Sequence, residues 1–182
     1  MMNTLKLIAY LQKLSEIKRT GWKRLRITDP ESVAEHSFEA VILGWQYAVR
    51  LGYDADKVIK LLLIHDLGES IIGDIVLYRG GRLVSSVEKK EAIEKKAIRK
   101  IATVFADKKE VQKLCVEYAQ GASKEAELAL QVDKLQMALR AFTYEKRYKK
   151  NLEEFWQTAQ SFITIPFLLK DFKKIYAKRK VS

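Results

Sequence analysis

Asp54-Ala55-Asp56-Lys57-Val58-Ile59-Lys60-Leu61-Leu62-Leu63-Ile64-His65-Asp66-Leu67-Gly68 is the stretch that decides the fold. Asp54 suits a helix N-cap, because its carboxylate can accept the free N–H groups of a first turn. Nearly every residue in the middle is apolar, so the pattern predicts a central, buried helix ending near Gly68. The chain has only two histidines, and His65 closes this run with an aspartate directly behind it. A buried imidazole beside a buried carboxylate is costly unless something pairs with both. A divalent cation does so, and both groups are ordinary ligands for one.

Helical periodicity recurs on both sides of this run. A first helix is expected from about Thr4 to Ile17, with Leu7, Leu11 and Leu14 on one face, followed by a loop from Lys18 to Arg24. Asp29-Pro30 opens a second helix, which Gly52 closes. Beyond Gly68 come a short piece from Glu69 to Asp74 and a flexible loop at Arg79-Gly80-Gly81-Arg82. Further helices are expected near Ser86 to Phe105, Lys108 to Ala119, Ser123 to Lys146, Leu152 to Gln160 and Pro166 to Ala177. Eight glycines, two prolines and few alternating runs point to an all-α fold. One domain over 1–182 is expected, with a metal-site core at about 30–140 and C-terminal helices at about 150–178.

Composition narrows the function. At 182 residues and 48% hydrophobic content, the chain can bury a core without disulfides, and it is not a disordered chain. The single cysteine, Cys115, excludes an internal disulfide framework and agrees with a reducing compartment. Lying in the pattern Val111-Leu114-Cys115-Tyr118, it reads as core. No secretory signal or membrane-length apolar run is visible, so the expected location is the cytoplasm, with no membrane partner. The net charge of +11 raises nucleic acid as a partner. Most of the basic residues alternate with acids, however, as in Glu94-Lys95-Lys96, which describes a solvated helix face. Only Lys146 to Lys150 and Lys170 to Lys180 are strongly one-signed, so nucleic acid is not the expected ligand.

Residues three and four apart share a helix face. Val33, His36, Ala40 and Leu43 therefore form one stripe, with His36 among apolar neighbours. His65, Asp66 and Glu69 cluster at one helix end if the helix persists that far, and Asp133 lies among Ala129, Leu130 and Met137. A lone histidine on an apolar face is more often a satisfied core group than a ligand. Both histidines and two awkwardly placed acids together make the stronger pattern. His36, His65, Asp66 and Asp133 supply two nitrogens and two oxygens from three helices, leaving two positions of a six-coordinate ion open. Such a set suits manganese, cobalt, iron, nickel or zinc better than calcium.

The order His36, then His65-Asp66, then Asp133 resembles the H…HD…D pattern of the HD-domain metal-dependent phosphohydrolases. Arg19-Thr20-Gly21-Trp22, Glu31-Ser32-Val33-Ala34-Glu35-His36-Ser37, His65-Asp66-Leu67-Gly68-Glu69, Gly73-Asp74-Ile75 and Asp133-Lys134-Leu135 are similar to the 5′-deoxynucleotidase branch. The resemblance runs from about Leu5 to Trp156. It implies a helical bundle around one divalent ion (cobalt, manganese, zinc, nickel, iron or magnesium), and a homodimer. It also implies release of the 5′-phosphate from deoxynucleoside monophosphates by attack of a metal-bound water. His36, His65, Asp66 and Asp133 match the metal ligands, and Glu69 matches the acid assigned to proton transfer. Arg19 and Trp22 match the loop that contacts phosphate and sugar, and Asp74 matches an acid near the sugar. Val76-Leu77 stands where the family often has Thr-Pro, and the loop Tyr78 to Ser85 also departs from it, which leaves base preference open.

Each role has a plainer alternative: a solvated helix-end carboxylate for Glu69, a solvated loop arginine for Arg19, a core or loop-anchoring aromatic for Trp22, a turn aspartate for Asp74. Lys134 either balances the charge of Asp133 or is a solvated helix lysine. Other readings of the chain are an HD-type deoxynucleoside triphosphatase or nucleotide phosphodiesterase, a nucleic-acid-binding protein on an inactive scaffold, and a basic scaffold with a structural metal. Apolar faces between Leu152 and Tyr176 either serve a dimer or close the core.

Overall fold

A computed structural model of the chain describes residues 3–76, 78–80, 82–83 and 86–179. Several of its helices start where side chains satisfy the free N–H groups of a first turn. In α1 (Thr4–Glu16), Asn3 Oδ1 accepts from Lys6 N at 3.0 Å. The expected loop after it contains a short helix, α2 (Thr20–Arg24). Its first N–H is taken by a distant residue, with Thr20 N donating to Asp74 Oδ2 at 2.5 Å.

The next helix, α3 (Val33–Leu51), starts later than Asp29-Pro30 suggests. Ser32 and Glu35 form a capping box, which satisfies two free donors reciprocally. The residues before it form one antiparallel bridge with residues 17–19: Arg19 N donates to Glu31 O at 3.0 Å and Val33 N to Ile17 O at 2.9 Å. That pairing holds the segment out of the helix. Gly52 ends α3 in the left-handed region at φ +67°, where a side chain would be strained.

Asp54 caps α4 (Ala55–Ile64), as the sequence predicts. Regular helix stops at Ile64 rather than near Gly68, and the chain tightens into i→i+3 turns. Leu67 N donates to Ile64 O and Glu69 N to Asp66 O, leading into α5 (Glu69–Ile72). At Arg79 to Arg82, where a flexible loop is expected, β1 (Tyr78–Arg79) and β2 (Arg82–Leu83) form an antiparallel hairpin. Gly80, at the end of β1, takes a positive φ of +56°, which glycine adopts without steric cost. Leu77, Gly81, Val84, Ser85 and Lys180, on which parts of the departure from the family and of the basic tail fall, lie outside the described residues.

The remaining elements are α6 (Val87–Ala102), α7 (Lys108–Gln120), α8 (Lys124–Tyr148), α9 (Glu153–Phe162) and α10 (Pro166–Arg179). The fold is all-α apart from the small hairpin. Although α4 buries Val58, Leu61, Leu62 and Ile64, the helix at the centre is α8, which packs against α3, α4, α7, α9 and α10. Its inward residues include Leu128, Val132, Leu135 and Ala138, together with buried Gln131, Asp133 and Gln136. Truncating Leu135 to alanine is expected to cost about 2–5 kcal/mol.

α3 and α4 cross at Gly44, where an added Cβ would lie 2.2 Å from Leu62 Cδ1. This close approach brings His36's helix against the helix that ends at His65. Leu152, Trp156, Leu168 and Phe172 are buried, so the C-terminal helices close the core. Arg179 is bound by Glu145 and Glu153 over the Trp156 ring. Among the described residues, no helix is long and apolar enough to cross a membrane.

Candidate metal centre

Three packed helices bring the two histidines and two of the acids together. His36 lies in the first turns of α3 and is fully buried, His65 follows the last turn of α4, and Asp133 lies midway along α8. One ligand atom each of His36, His65 and Asp66 lies within 4.8 Å of the others. Asp66 Oδ2 is 3.1 Å from His65 Nε2 and 3.7 Å from His36 Nε2. Asp133 approaches His36 as well, its Oδ1 3.0 Å from Nε2 and its Oδ2 held by Lys134 Nζ at 2.7 Å, but it stands outside that group of three.

The hydrogen bonds behind the rings decide what the rings can do. His36 Nδ1 meets Gln136 Oε1 at 2.5 Å, and His65 Nδ1 meets Leu62 O at 2.7 Å. Both partners are acceptors, so each Nδ1 carries the proton and each Nε2 turns a lone pair inward. Both Nε2 atoms are buried without a hydrogen-bond partner. Neither Nε2 is hydrogen-bonded to the carboxylate oxygens close to it. An unprotonated Nε2 and a carboxylate charge 3.0–3.1 Å away repel unless a proton or cation lies between them. Two imidazole nitrogens fixed in this tautomer and facing carboxylates are the donor set of a divalent-ion site. The residues therefore fit the ion that the resemblance implies.

Arg19 and Glu69 complete the charge pattern. Arg19 Nη1 lies 3.0 Å from Asp66 Oδ2, 3.5 Å from Asp74 Oδ1 and 3.9 Å from Glu69 Oε1. Burial opposes the charge on Arg19, but Asp74, Asp66 and Glu69 outweigh it and raise its pKa well above the usual value. Burial also opposes the charge on Asp66, yet His65, Arg19 and His36 hold it below the usual carboxylate range. Asp133 is kept low in the same way, by Lys134 and His36 against burial. Glu69 goes the other way: burial, then the nearby Asp66 charge, push its carboxyl well above the ordinary range. Its Oε2 is buried with no hydrogen-bond partner. For His65, burial disfavours a second proton while Asp66 favours one, and the net shift is upward. A cation would compete with that proton for the same Nε2 lone pair.

The two other expected site residues take structural partners. Asp74 ties α2 to the site through Thr20, whose N and Oγ1 donate to Asp74 Oδ2 and Asp74 O. Trp22 is 2% exposed. Its indole packs on Phe155 with centroids 3.9 Å apart, meets Tyr144 edge-on at 5.2 Å, and donates to Glu31 Oε1 at 2.8 Å. In this conformation the ring is an anchor for α2 and offers little open face. Cys115 packs against the core, and burial raises its thiol to about 12.

Sequence reasoning missed three neighbours. Gln136 is three residues beyond Asp133 and so shares its face, but a neutral amide in a helix attracts no notice. Glu31 follows Asp29-Pro30 and reads as an ordinary first-turn acid of the expected second helix. Tyr118 lies with its ring centroid 5.3 Å from that of His65, and burial raises its phenol pKa well above the usual value.

A family model described as "HD domain" matches residues 11–174. The protein named "5'-deoxynucleotidase HDDC2" from Dictyostelium discoideum is 34% identical over 156 residues, covering 81% of this chain and 80% of that protein. Its namesake from Danio rerio is 31% identical over 181 residues, covering 97% and 88%. Among solved structures, the PH0347 protein from Pyrococcus horikoshii OT3 superposes with a TM-score of 0.79 at 31% identity, covering 94% of this chain and 97% of that one. The matched span takes in α3, α4 and α8 with every residue of the cluster between them, and the chain belongs to the HD domain family.

Proposed function

We propose that this chain is a metal-dependent phosphomonoesterase that removes the 5′-phosphate from deoxynucleoside monophosphates. One observation carries the reading: two buried imidazole Nε2 atoms without a hydrogen-bond partner lie 3.0–3.1 Å from Asp133 and Asp66, with Arg19 alongside. The activity printed in the names of the Dictyostelium and Danio relatives supports the substrate class. His36, His65, Asp66 and Asp133 hold one divalent ion, with manganese or cobalt the first choices for a mixed nitrogen and oxygen set. When bound, such an ion supplies Lewis acidity, screening phosphate charge and lowering the pKa of water it coordinates.

The chain's own residues supply the rest. Arg19 exchanges a carboxylate partner for the substrate phosphate, a charge-assisted pairing. Glu69, whose carboxyl pKa is pushed upward by burial and by Asp66, is placed to exchange a proton with the attacking water or the leaving 5′ oxygen. Asp74 is held through Oδ2 by Thr20 N and faces Arg19 with Oδ1, which accepts from the sugar 3′-hydroxyl once the phosphate draws Arg19 away. Trp22 acts by fixing α2 through Phe155, Tyr144 and Glu31, which limits the room beside the sugar. The four ligands and the C-terminal helices work as one domain.

The test is phosphate release from deoxy- and ribonucleoside monophosphates with manganese, cobalt, magnesium and zinc, alongside the triphosphates. Inorganic phosphate from the deoxy monophosphates is expected. Release of triphosphate, or no release with any metal, would overturn the reading. The lone cysteine supports a reducing compartment, and we assign the enzyme to the cytoplasm.

A homodimer belongs to the same proposal. Phe38, Ile42, Trp45 and Val49 are 67%, 42%, 45% and 62% exposed. Their spacing of four, three and four makes one seam along α3, the pattern of a helix that packs on another helix. Leu5, Ile8 and Leu11 on neighbouring α1 are also exposed. Together these side chains offer roughly 700 Å² per copy, close to the ~800 Å² per partner of a standard interface. A self-complementary seam commits the face to a second copy of this chain. Light scattering should give a dimer, and Trp45→Glu a monomer; an unmodified chain that is monomeric at micromolar concentration would remove the interface.

A further inference from the structure

We propose that Glu31 and Gln136 are positioning residues, forming a polar relay that links Trp22 to His36 and fixes the His36 ring for the metal. The inference rests on the reading of His36 as a ligand. Gln136 Nε2 donates to Glu31 Oε2 at 2.9 Å and to Glu39 Oε2 at 2.8 Å. Carboxylates only accept, so the amide has one workable orientation, with its oxygen towards His36 Nδ1. That oxygen in turn accepts only, which fixes the proton on Nδ1 and leaves Nε2 free to bind a cation.

The relay continues outward from Glu31. Its Oε1 accepts from Trp22 Nε1 at 2.8 Å, its carbonyl accepts from Arg19 N at 3.0 Å, and its N donates to the Tyr144 hydroxyl at 2.7 Å. Arg140 compensates the charge, with Nε 2.8 Å from Glu31 Oε2 and a further pairing to Glu39. His36, Gln136, Glu31 and Trp22 are all buried. Water therefore cannot readily replace a lost partner, and a fault at Gln136 reaches the ligand ring directly. None of the three hydrogen bonds from Trp22 to His36 can be reversed alone, because a reversal sets donor against donor or acceptor against acceptor.

This one-way polarity gives the test. Manganese affinity is measured by calorimetry on the purified full chain, with thermal unfolding as the check on folding. Gln136→Leu is expected to weaken manganese binding about 10- to 100-fold, the usual cost of losing a partner behind a ligand histidine. Glu31→Gln leaves one amide oxygen for two donors, Trp22 Nε1 and Gln136 Nε2, and turns its own N–H towards one of them. It should weaken manganese binding by a smaller factor, although its link to His36 runs through Gln136. Leu135→Ala, a core truncation on the same helix, should lower the unfolding temperature yet keep affinity within about threefold of the unmodified protein.

If Gln136→Leu fails to fold, Glu31→Gln decides alone. Unchanged affinity in Gln136→Leu or in Glu31→Gln, or an equal loss in Leu135→Ala, would overturn the relay. Manganese binding without turnover of any nucleotide would defeat the proposed function and leave this test intact. Absence of manganese binding by the unmodified chain would defeat the ligand reading and the relay with it.

Discussion

His36 and Asp133 sit on long packed helices behind buried hydrogen bonds, whereas the hairpin and the outer end of α2 are held by ion pairs that water can reach. On the inner side, Gln136 and Leu62 O fix the two rings, and Lys134 fixes Asp133. On the outer side, Glu154 of α9 binds both Arg24 of α2 and Arg79 of β1, with the two arginine side chains 30% and 50% exposed. A buried, satisfied network is stiff because each broken bond leaves an unpaired group in a low dielectric. An exposed ion pair contributes only about 0–1 kcal/mol and yields readily. The fold therefore fixes the geometry of the ligand set, and it leaves adjustable the rim that adjoins Arg19 and Asp74.

Substitutions on the inner side should do the most damage. Asp66→Ala removes the carboxylate shared by His65, His36 and Arg19, and it should take both metal binding and turnover to background in a paired calorimetric and phosphate-release assay. Glu69→Gln comes next: turnover should fall by about 10²–10⁴-fold, the scale of a lost acid–base group, with metal binding preserved. Near-normal hydrolysis by that variant would remove Glu69 from proton transfer.

Moving outward, Arg19→Ala should raise KM by about 10- to 100-fold, the equivalent of one charge-assisted hydrogen bond at ~1.5–3 kcal/mol. A change in kcat with KM unaltered would place Arg19 elsewhere in the reaction. The smallest effect belongs to the rim. Glu154→Ala should cost about 1 kcal/mol or less in denaturant unfolding and leave manganese affinity unaltered. It should shift the relative KM among bases more than it shifts kcat. Loss of metal binding in that variant would erase the distinction between the two sides.

The sequence carried the inner side better than the outer. His65-Asp66 at the end of an apolar run, His36 in an apolar stripe and Asp133 among apolar neighbours are all conflicts between polarity and position, visible without coordinates. Helix ends with strong local chemistry were equally legible, as at Asp54 and Gly52. Distant partners were not. Asp29-Pro30 reads as a helix start, but backbone pairing with residues 17–19 holds that segment extended and passes the start to Ser32. The first turn of α2 depends on Asp74, 54 residues away in sequence. Trp22 gives no local sign of whether its indole faces a ligand or Phe155, because an aromatic residue suits either setting. The central place of α8 was masked by the polar residues it turns inward, which lower its apparent amphipathic contrast.

The account depends on His36, His65, Asp66 and Asp133 converging on one ion. Calorimetric titration of the purified chain with manganese, beside the His65→Ala variant verified as folded by circular dichroism, tests this most directly. The unmodified chain should take up one equivalent, and the variant should bind none at the same concentrations. A full equivalent retained by His65→Ala, or no uptake by the unmodified chain, would contradict it.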